Sequence, residues 1–143
     1  MTTIVYDHKN KQIAFDSRTS AGTHICTDNA KKHFNVGDSL LILAGSLPDI
    51  DIFVEEYPSI KTESDASGFC VENNIVYDIA EKSGKLSKSR IHYSDSQGSG
   101  YAFAIAAIDN GKTAKEAIKY AMTRDNCTGG KVHVYDIEKE KFI

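Results

Sequence analysis

The chain has little cysteine, little proline, no surplus of either charge and no long apolar run, and each shortage removes a class of protein. Its three cysteines, Cys26, Cys70 and Cys127, are odd in number, far apart and in no metal-type pairing. Neither a disulfide framework nor a zinc site is therefore expected to organise the fold; reduced thiols and a cytoplasmic setting are. Seventeen Lys and Arg against twenty Asp and Glu leave a net charge of -3, with the two signs interleaved. That excludes the basic footprint of a nucleic-acid binder. No stretch approaches the roughly 18 apolar residues of a membrane span, and the start lacks the charged-then-apolar layout of a secretory signal. What is present, 143 residues of which 41% are hydrophobic, has the size and composition of one domain able to bury a core.

Hydrophobic patterning divides the chain into strands, helices and strands again. Thr2 to Tyr6 reads as a strand, Asp7 to Lys11 as a polar turn and Gln12 to Phe15 as the returning strand. A Ser, Thr and Gly-rich stretch from Ser17 to Thr27 carries a second short hairpin around His24-Ile25-Cys26. Leu40-Leu41-Ile42-Leu43-Ala44 is a continuous apolar run, the mark of a strand buried on both faces. Leu47 to Tyr57 is expected to be helical, with Pro48 in its first turn, Ile50, Phe53, Val54 and Tyr57 on one face, and Pro58 as its stop.

Beyond a polar connection from Lys61 to Gly68, Phe69 to Val71 and Ile75 to Ile79 form a further hairpin. Lys82 to Arg90 then reads as a charged loop and Ile91-His92-Tyr93 as a strand. Tyr101 to Ile108 is a helix apolar nearly all round, expected to be buried or packed against another subunit, and Asn110-Gly111 ends it. Thr113 and Glu116 have the spacing of a capping box, opening a helix that turns Ala117, Ile118, Ala121 and Met122 inward. Lys131 to Ile137 alternates as a closing strand, with Lys141 to Ile143 at an edge. The class is α+β with layered antiparallel sheets.

The chemistry centres on the start of the chain. Removal of Met1 is expected because Thr2 is small, and it would leave Thr2 with both a hydroxyl and a free α-amine. That pairs a nucleophile with its own base, since an α-amine of ordinary pKa, about 7.7–8.0, is partly neutral near pH 7. The competing pattern, a Cys-His pair drawn from Cys127 with His24, His33 or His92, lacks any motif that sets a histidine against the thiol.

Six short motifs occur in a fixed order: Thr2-Thr3-Ile4-Val5, Phe15-Asp16-Ser17-Arg18, Ala30-Lys31-Lys32, Ala44-Gly45-Ser46, Gly98-Ser99-Gly100, and Arg124-Asp125 followed by Thr128-Gly129-Gly130. Together they resemble the proteasome β-subunit family, especially its bacterial HslV branch. The resemblance covers about Thr2 to Tyr57 and Gly98 to Val134. It implies an N-terminal-nucleophile hydrolase with a four-layer αββα sandwich of two antiparallel sheets, a threonine-type peptidase acting on peptide or unfolded protein inside a homo-oligomeric chamber. By the same resemblance Thr2 is the nucleophile, Asp16 and Lys32 are the charged pair beside it, and the Gly45 N–H is the oxyanion donor. Ser99, Asp125 and Thr128 give hydrogen-bonding support. Thr19, Ala30, Leu43 and Leu47 would line an uncharged first specificity pocket suited to apolar residues. No cofactor or metal is implied, although carbonyls of the 124–130 loop hold a cation in some relatives.

Each motif also has a plain reading: Asp16 and Arg18 as a surface ion pair, Lys31-Lys32 as a solvated strand edge, Gly98-Ser99-Gly100 as a helix cap and Gly129-Gly130 as a turn. Two departures from the family stand out. The opening hairpin is two residues shorter, and only one helix is expected where the family has two long ones, a minimal version of the fold. Loss of a helix uncovers sheet, which favours an oligomer and leaves the docking surface for a family-type ATPase unfoldase doubtful. The alternative function is a non-catalytic proteasome-fold protein for assembly or binding.

Overall fold

A computed structural model describes residues 2–143, so the expected removal of Met1 lies outside the described residues. In chain order the elements are β1 (Thr3–Asp7), β2 (Gln12–Phe15), β3 (Thr19–Ala21), β4 (His24–Thr27), β5 (His33–Val36) and β6 (Ser39–Ala44). There follow α1 (Leu47–Glu56), β7 (Ser67–Glu72), β8 (Ile75–Lys82), β9 (Lys85–Arg90) and β10 (Asp95–Gly98). Then come α2 (Tyr101–Asp109), α3 (Ala114–Met122), β11 (His133–Asp136) and β12 (Lys141–Phe142). The chain divides into two compact units, residues 2–32 with Tyr93–Ile143, and His33–His92. No helix among the described residues is long and apolar enough to cross a membrane.

The first unit is built on an antiparallel sheet of order β10-β1-β2-β11-β12. Side chains alternate along each strand. Val5, Ala14 and Val134 therefore face α2 and α3, where Ala104, Ala107, Ala114, Ala117, Ile118 and Ala121 are buried against them. Ile4, Ile13 and Phe15 point the other way and are also fully buried. Small residues on both helices let them lie close to the sheet. α3 starts as its sequence requires: the Thr113 hydroxyl accepts from the Glu116 N–H, and the Glu116 carboxylate accepts from the Thr113 N–H at 3.0 Å.

α2 is not wholly buried within its own chain. Ala104 and Ala107 are buried, but Tyr101 is 57% exposed and Phe103 37%. One sheet face covers a single stripe of a helix, so a helix apolar all round leaves the remainder uncovered within its own chain. The hairpin expected around His24 is present as β3 and β4, a separate two-stranded sheet.

The second unit is an antiparallel sheet of order β5-β6-β7-β8-β9. β6 is buried along its whole length, as its unbroken apolar run demands. α1, with Pro48 in its first turn, packs Ile50, Phe53 and Tyr57 onto Leu41, Leu43, Cys70 and Ile79. It is the single helix between β6 and β7, as the sequence indicates. The backbone that follows is satisfied by carboxylates instead of a helical ladder. Glu56 accepts from the N–H groups of Lys61 and Thr62, each at 3.0 Å, Asp49 from Asp65 at 2.9 Å and Glu81 from Ser64 at 3.2 Å.

Two expectations are corrected in this region. Lys82 to Arg90 is not a loop: Lys85–Arg90 is β9, joined to β8 by Ser83 and Gly84 at φ 53° and 74°. Its lysines mark an edge strand, where charge discourages pairing with another chain. Ile91-His92-Tyr93 is not a strand; the strand comes next, as β10, whose polar sequence Asp95-Ser96-Gln97-Gly98 has no hydrophobic signature.

Candidate active site

The antiparallel pairing of β1 with β2 and β10 brings three strand ends together. Thr3 lies opposite Gly98, and the Asp16 N–H donates to the Thr3 carbonyl at 3.4 Å. Gly98 has φ 99°, and a Cβ there would lie 1.6 Å from the Thr2 carbonyl oxygen, so only glycine allows β10 to come this close.

Asp16 is the hub. Its Oδ1 accepts from Lys32 Nζ at 2.8 Å and from the Thr3 N–H at 3.1 Å. Its Oδ2 accepts from the Gly129 N–H at 2.9 Å and the Arg18 N–H at 3.4 Å. Lys32 Nζ donates also to the Arg18 carbonyl at 2.6 Å. The lysine side chain is 4% exposed and that of Asp16 is completely buried. Burial pushes the Lys32 ammonium below the ordinary lysine pKa, against the opposing charge and hydrogen bond of Asp16.

The surface ion pair considered for Asp16 and Arg18 is thus replaced by a buried one with Lys32. The Arg18 guanidinium turns instead to Asp28, at 2.9 and 3.2 Å, and to the Asn126 carbonyl at 3.0 Å. Nor are Lys31 and Lys32 on a strand edge; they precede β5, with Lys31 exposed and Lys32 buried.

A second carboxylate, Asp125, gathers the other predicted residues. The hydroxyls of Ser99 and Thr128 each donate to its Oδ2 at 2.6 Å, and the Cys127 N–H donates to Oδ1 at 3.1 Å. Burial raises the Asp125 pKa, but the Ser99, Thr128 and Cys127 donors outweigh it and hold the carboxyl below its usual range. The Ser99 N–H donates to the Thr2 carbonyl at 2.9 Å, which ties this cluster to the first residue of the site.

Sequence reasoning missed Thr3. Fully buried, it accepts the Gly100 N–H at 2.9 Å, and its hydroxyl lies 2.6 Å from that of Thr128. The available signal was alternation, which places Thr3 on the Val5 side of the strand with nothing polar in the local sequence to receive it.

Thr2 itself is 3% exposed. The Lys32 ammonium spends its hydrogen bonds on Asp16 and Arg18, and none joins it to the Thr2 hydroxyl. Thr19 and Ala30 are half-buried in the same unit. Leu43, Gly45 and Leu47 belong to the second unit. There Leu43 is fully buried in the core beneath α1, Leu47 is 50% exposed, and Gly45 has φ 139°, where a Cβ would lie 2.7 Å from Asp65 Oδ1.

The Cys-His alternative is not assembled as a nucleophile. His24 and Cys127 both line a cavity of about 130 Å³ beside Arg18, but the Cys127 thiol points to Asn126 Oδ1 at 3.6 Å. His24 Nε2 instead lies 4.0 Å from the Cys26 sulfur.

Neither a family model nor a curated protein matches the chain in sequence. Solved structures do match in shape. The eukaryotic HslV from Trypanosoma brucei superposes with a TM-score of 0.69 at 20% identity, covering 92% of this chain and 97% of that one. The fold is that of HslV. The same HslV-type fold relates the chain to Thiobacillus denitrificans BPH, with a TM-score of 0.69 at 16% identity over 94% of this chain and 95% of the other. BPH in complex with epoxomicin gives a TM-score of 0.68 at 18% identity, covering 94% and 96%. The mixed α/β architecture with antiparallel sheets expected from the sequence resemblance is therefore present.

Proposed function

We propose that the chain is a threonine-type peptidase subunit, working as a homo-oligomer on peptides or unfolded protein. The observation that carries the reading is the buried Lys32–Asp16 pair, whose shared oxygen also holds the N–H of Thr3, the residue next to Thr2. A buried ammonium adds little net stability, because desolvation offsets the attraction of its partner. It is costly to desolvate, and the chemistry that repays it is stabilisation of an alkoxide on a neighbouring hydroxyl.

In the proposed reaction, loss of Met1 frees the Thr2 amine, which takes the hydroxyl proton as Oγ1 attacks the peptide carbonyl carbon. The C–N bond breaks, the departing amine takes that proton, and water then hydrolyses the ester to return Thr2. Ser99, Asp125 and Thr128 order the surroundings of the amine. For Gly45 as oxyanion donor, and for Thr19, Ala30, Leu43 and Leu47 as a pocket for apolar residues, the reading rests on the sequence resemblance.

A second reading, a non-catalytic protein of this fold serving assembly or binding, draws on the lack of a hydrogen bond between Lys32 and the Thr2 hydroxyl. Three measurements decide between them. Intact mass of the protein made in cells is expected to show Met1 removed, and fluorogenic peptides with apolar residues before the cleaved bond are expected to be hydrolysed by the wild type but not by Thr2→Ala. Epoxomicin, which is bound to BPH in a solved complex, is expected to block peptide hydrolysis by the wild type. Retention of Met1, or hydrolysis that survives Thr2→Ala, overturns the peptidase reading. Light scattering tests the oligomer.

A further inference from the structure

Thr3 stands between the two carboxylate clusters. Through its backbone N–H it donates to Asp16 Oδ1, the same oxygen that holds Lys32, and through its hydroxyl it meets Thr128, which donates to Asp125. Residues 98–100 enclose it from the other side, with the Ser99 N–H on the Thr2 carbonyl and the Gly100 N–H on the Thr3 hydroxyl oxygen. Every polar group linking residues 2 and 3 is thereby tied to one cluster or the other.

The direction of the hydroxyl chain follows from its ends. An ionised Asp125 can only accept, so the Thr128 proton points to it. Thr128 must then accept from Thr3, and Thr3 accepts from the Gly100 N–H, which can only donate. The sequence Gly100 N–H to Thr3 O–H to Thr128 O–H to Asp125 leaves no hydroxyl proton free to turn. A chain of this kind is stiffer than its separate bonds.

We propose that Thr3 is a positioning residue whose hydroxyl fixes the spacing and orientation of the Lys32–Asp16 pair and the Ser99–Asp125–Thr128 cluster on either side of Thr2. The role rests on the peptidase reading as far as catalysis is concerned, but the geometry it sets has a readout of its own. Valine matches threonine in shape and lacks the hydroxyl; serine keeps the hydroxyl and loses the methyl.

The test compares wild type, Thr3→Val and Thr3→Ser by peptide hydrolysis and by NMR titration of the Lys32 side chain. Thr3→Val is expected to lower kcat about tenfold with KM unchanged, the loss of a bond made for geometry and not for substrate binding. It is also expected to move the Lys32 midpoint upward: valine keeps the N–H on Asp16 Oδ1, but without the hydroxyl's bonds to Gly100 and Thr128 that N–H is held less firmly and water reaches the ammonium. Thr3→Ser restores both. The proposal is overturned if Thr3→Val matches wild type in the Lys32 titration and in kcat, or if Thr3→Ser is as impaired as Thr3→Val. If wild type shows no hydrolysis that depends on Thr2, the peptidase reading fails by itself. The Lys32 titration then decides the Thr3 role: a shift reversed by serine supports it, and no shift overturns it. Should Thr3→Val not fold, Thr128→Val breaks the same hydrogen bond from its other end and is judged by the Lys32 titration alone, since Thr128 also donates to Asp125.

Discussion

Lys32 Nζ lies 2.8 Å from Asp16 Oδ1 in surroundings that expose almost none of either side chain. Removing one partner of such a pair leaves the other as an unpaired buried charge, which costs about 3–5 kcal/mol. Asp16→Ala is therefore expected to be among the most destabilising substitutions in the first unit. The double variant Asp16→Leu/Lys32→Met removes both charges together and is expected to be clearly milder. Urea unfolding of the two proteins checks the order; equal losses would show that the pair is not electrostatically coupled.

The depressed Lys32 pKa fixes the sign of one pH dependence. With the folded value below the unfolded one, the unfolded chain holds more protons between the two, so stability rises with pH across that interval. Below the folded midpoint the cost of the buried ammonium is present in full, and it is relieved as pH climbs toward the ordinary lysine value. Stability of wild type relative to Lys32→Met is expected to increase over this alkaline window. A difference that stays flat across it contradicts the assignment.

Asp125 adds a second dependence of the same sign, at the acid end of the scale. Its lowered pKa stabilises the fold above the ordinary aspartate value of 3.8, and that contribution disappears as pH falls through the folded value. The stability gap between wild type and Asp125→Asn is expected to narrow as the solution is acidified below pH 3.8. Chemical denaturation at a series of pH values reads the gap directly.

Much of this arrangement was legible in the residues. The hairpin at Gln12 to Phe15, the buried run before Gly45 and the Thr113–Glu116 cap each carry a local pattern strong enough to survive tertiary context. The order of six motifs pointed to Asp16, Lys32, Ser99, Asp125 and Thr128, and the fold gathers them into two linked clusters. Other features left no local trace. β10 is polar throughout because it packs edge-on beside β1, and β9 reads as a loop because an edge strand needs charge. Thr3 escaped notice since its partners, Gly100 and Thr128, lie about a hundred residues away and no spacing rule connects them.

Gly98 offers a test of how tightly the strands meet. A methyl group there would occupy the place of the Thr2 carbonyl oxygen, on a backbone whose φ of 99° already disfavours any other residue. Gly98→Ala is expected to lose the β1–β10 pairing, seen as poor soluble yield or as loss of amide protection in residues 3–6 by hydrogen exchange. A Gly98→Ala protein with the wild-type melting temperature would contradict the close approach.

The carboxylate of Asp16 receives four donors, two at each oxygen. Its lone pairs are fully committed. A carboxylate saturated in this way is a fixed electrode: it sets the field felt by its neighbours and pins Thr3, Arg18, Lys32 and Gly129 to one point.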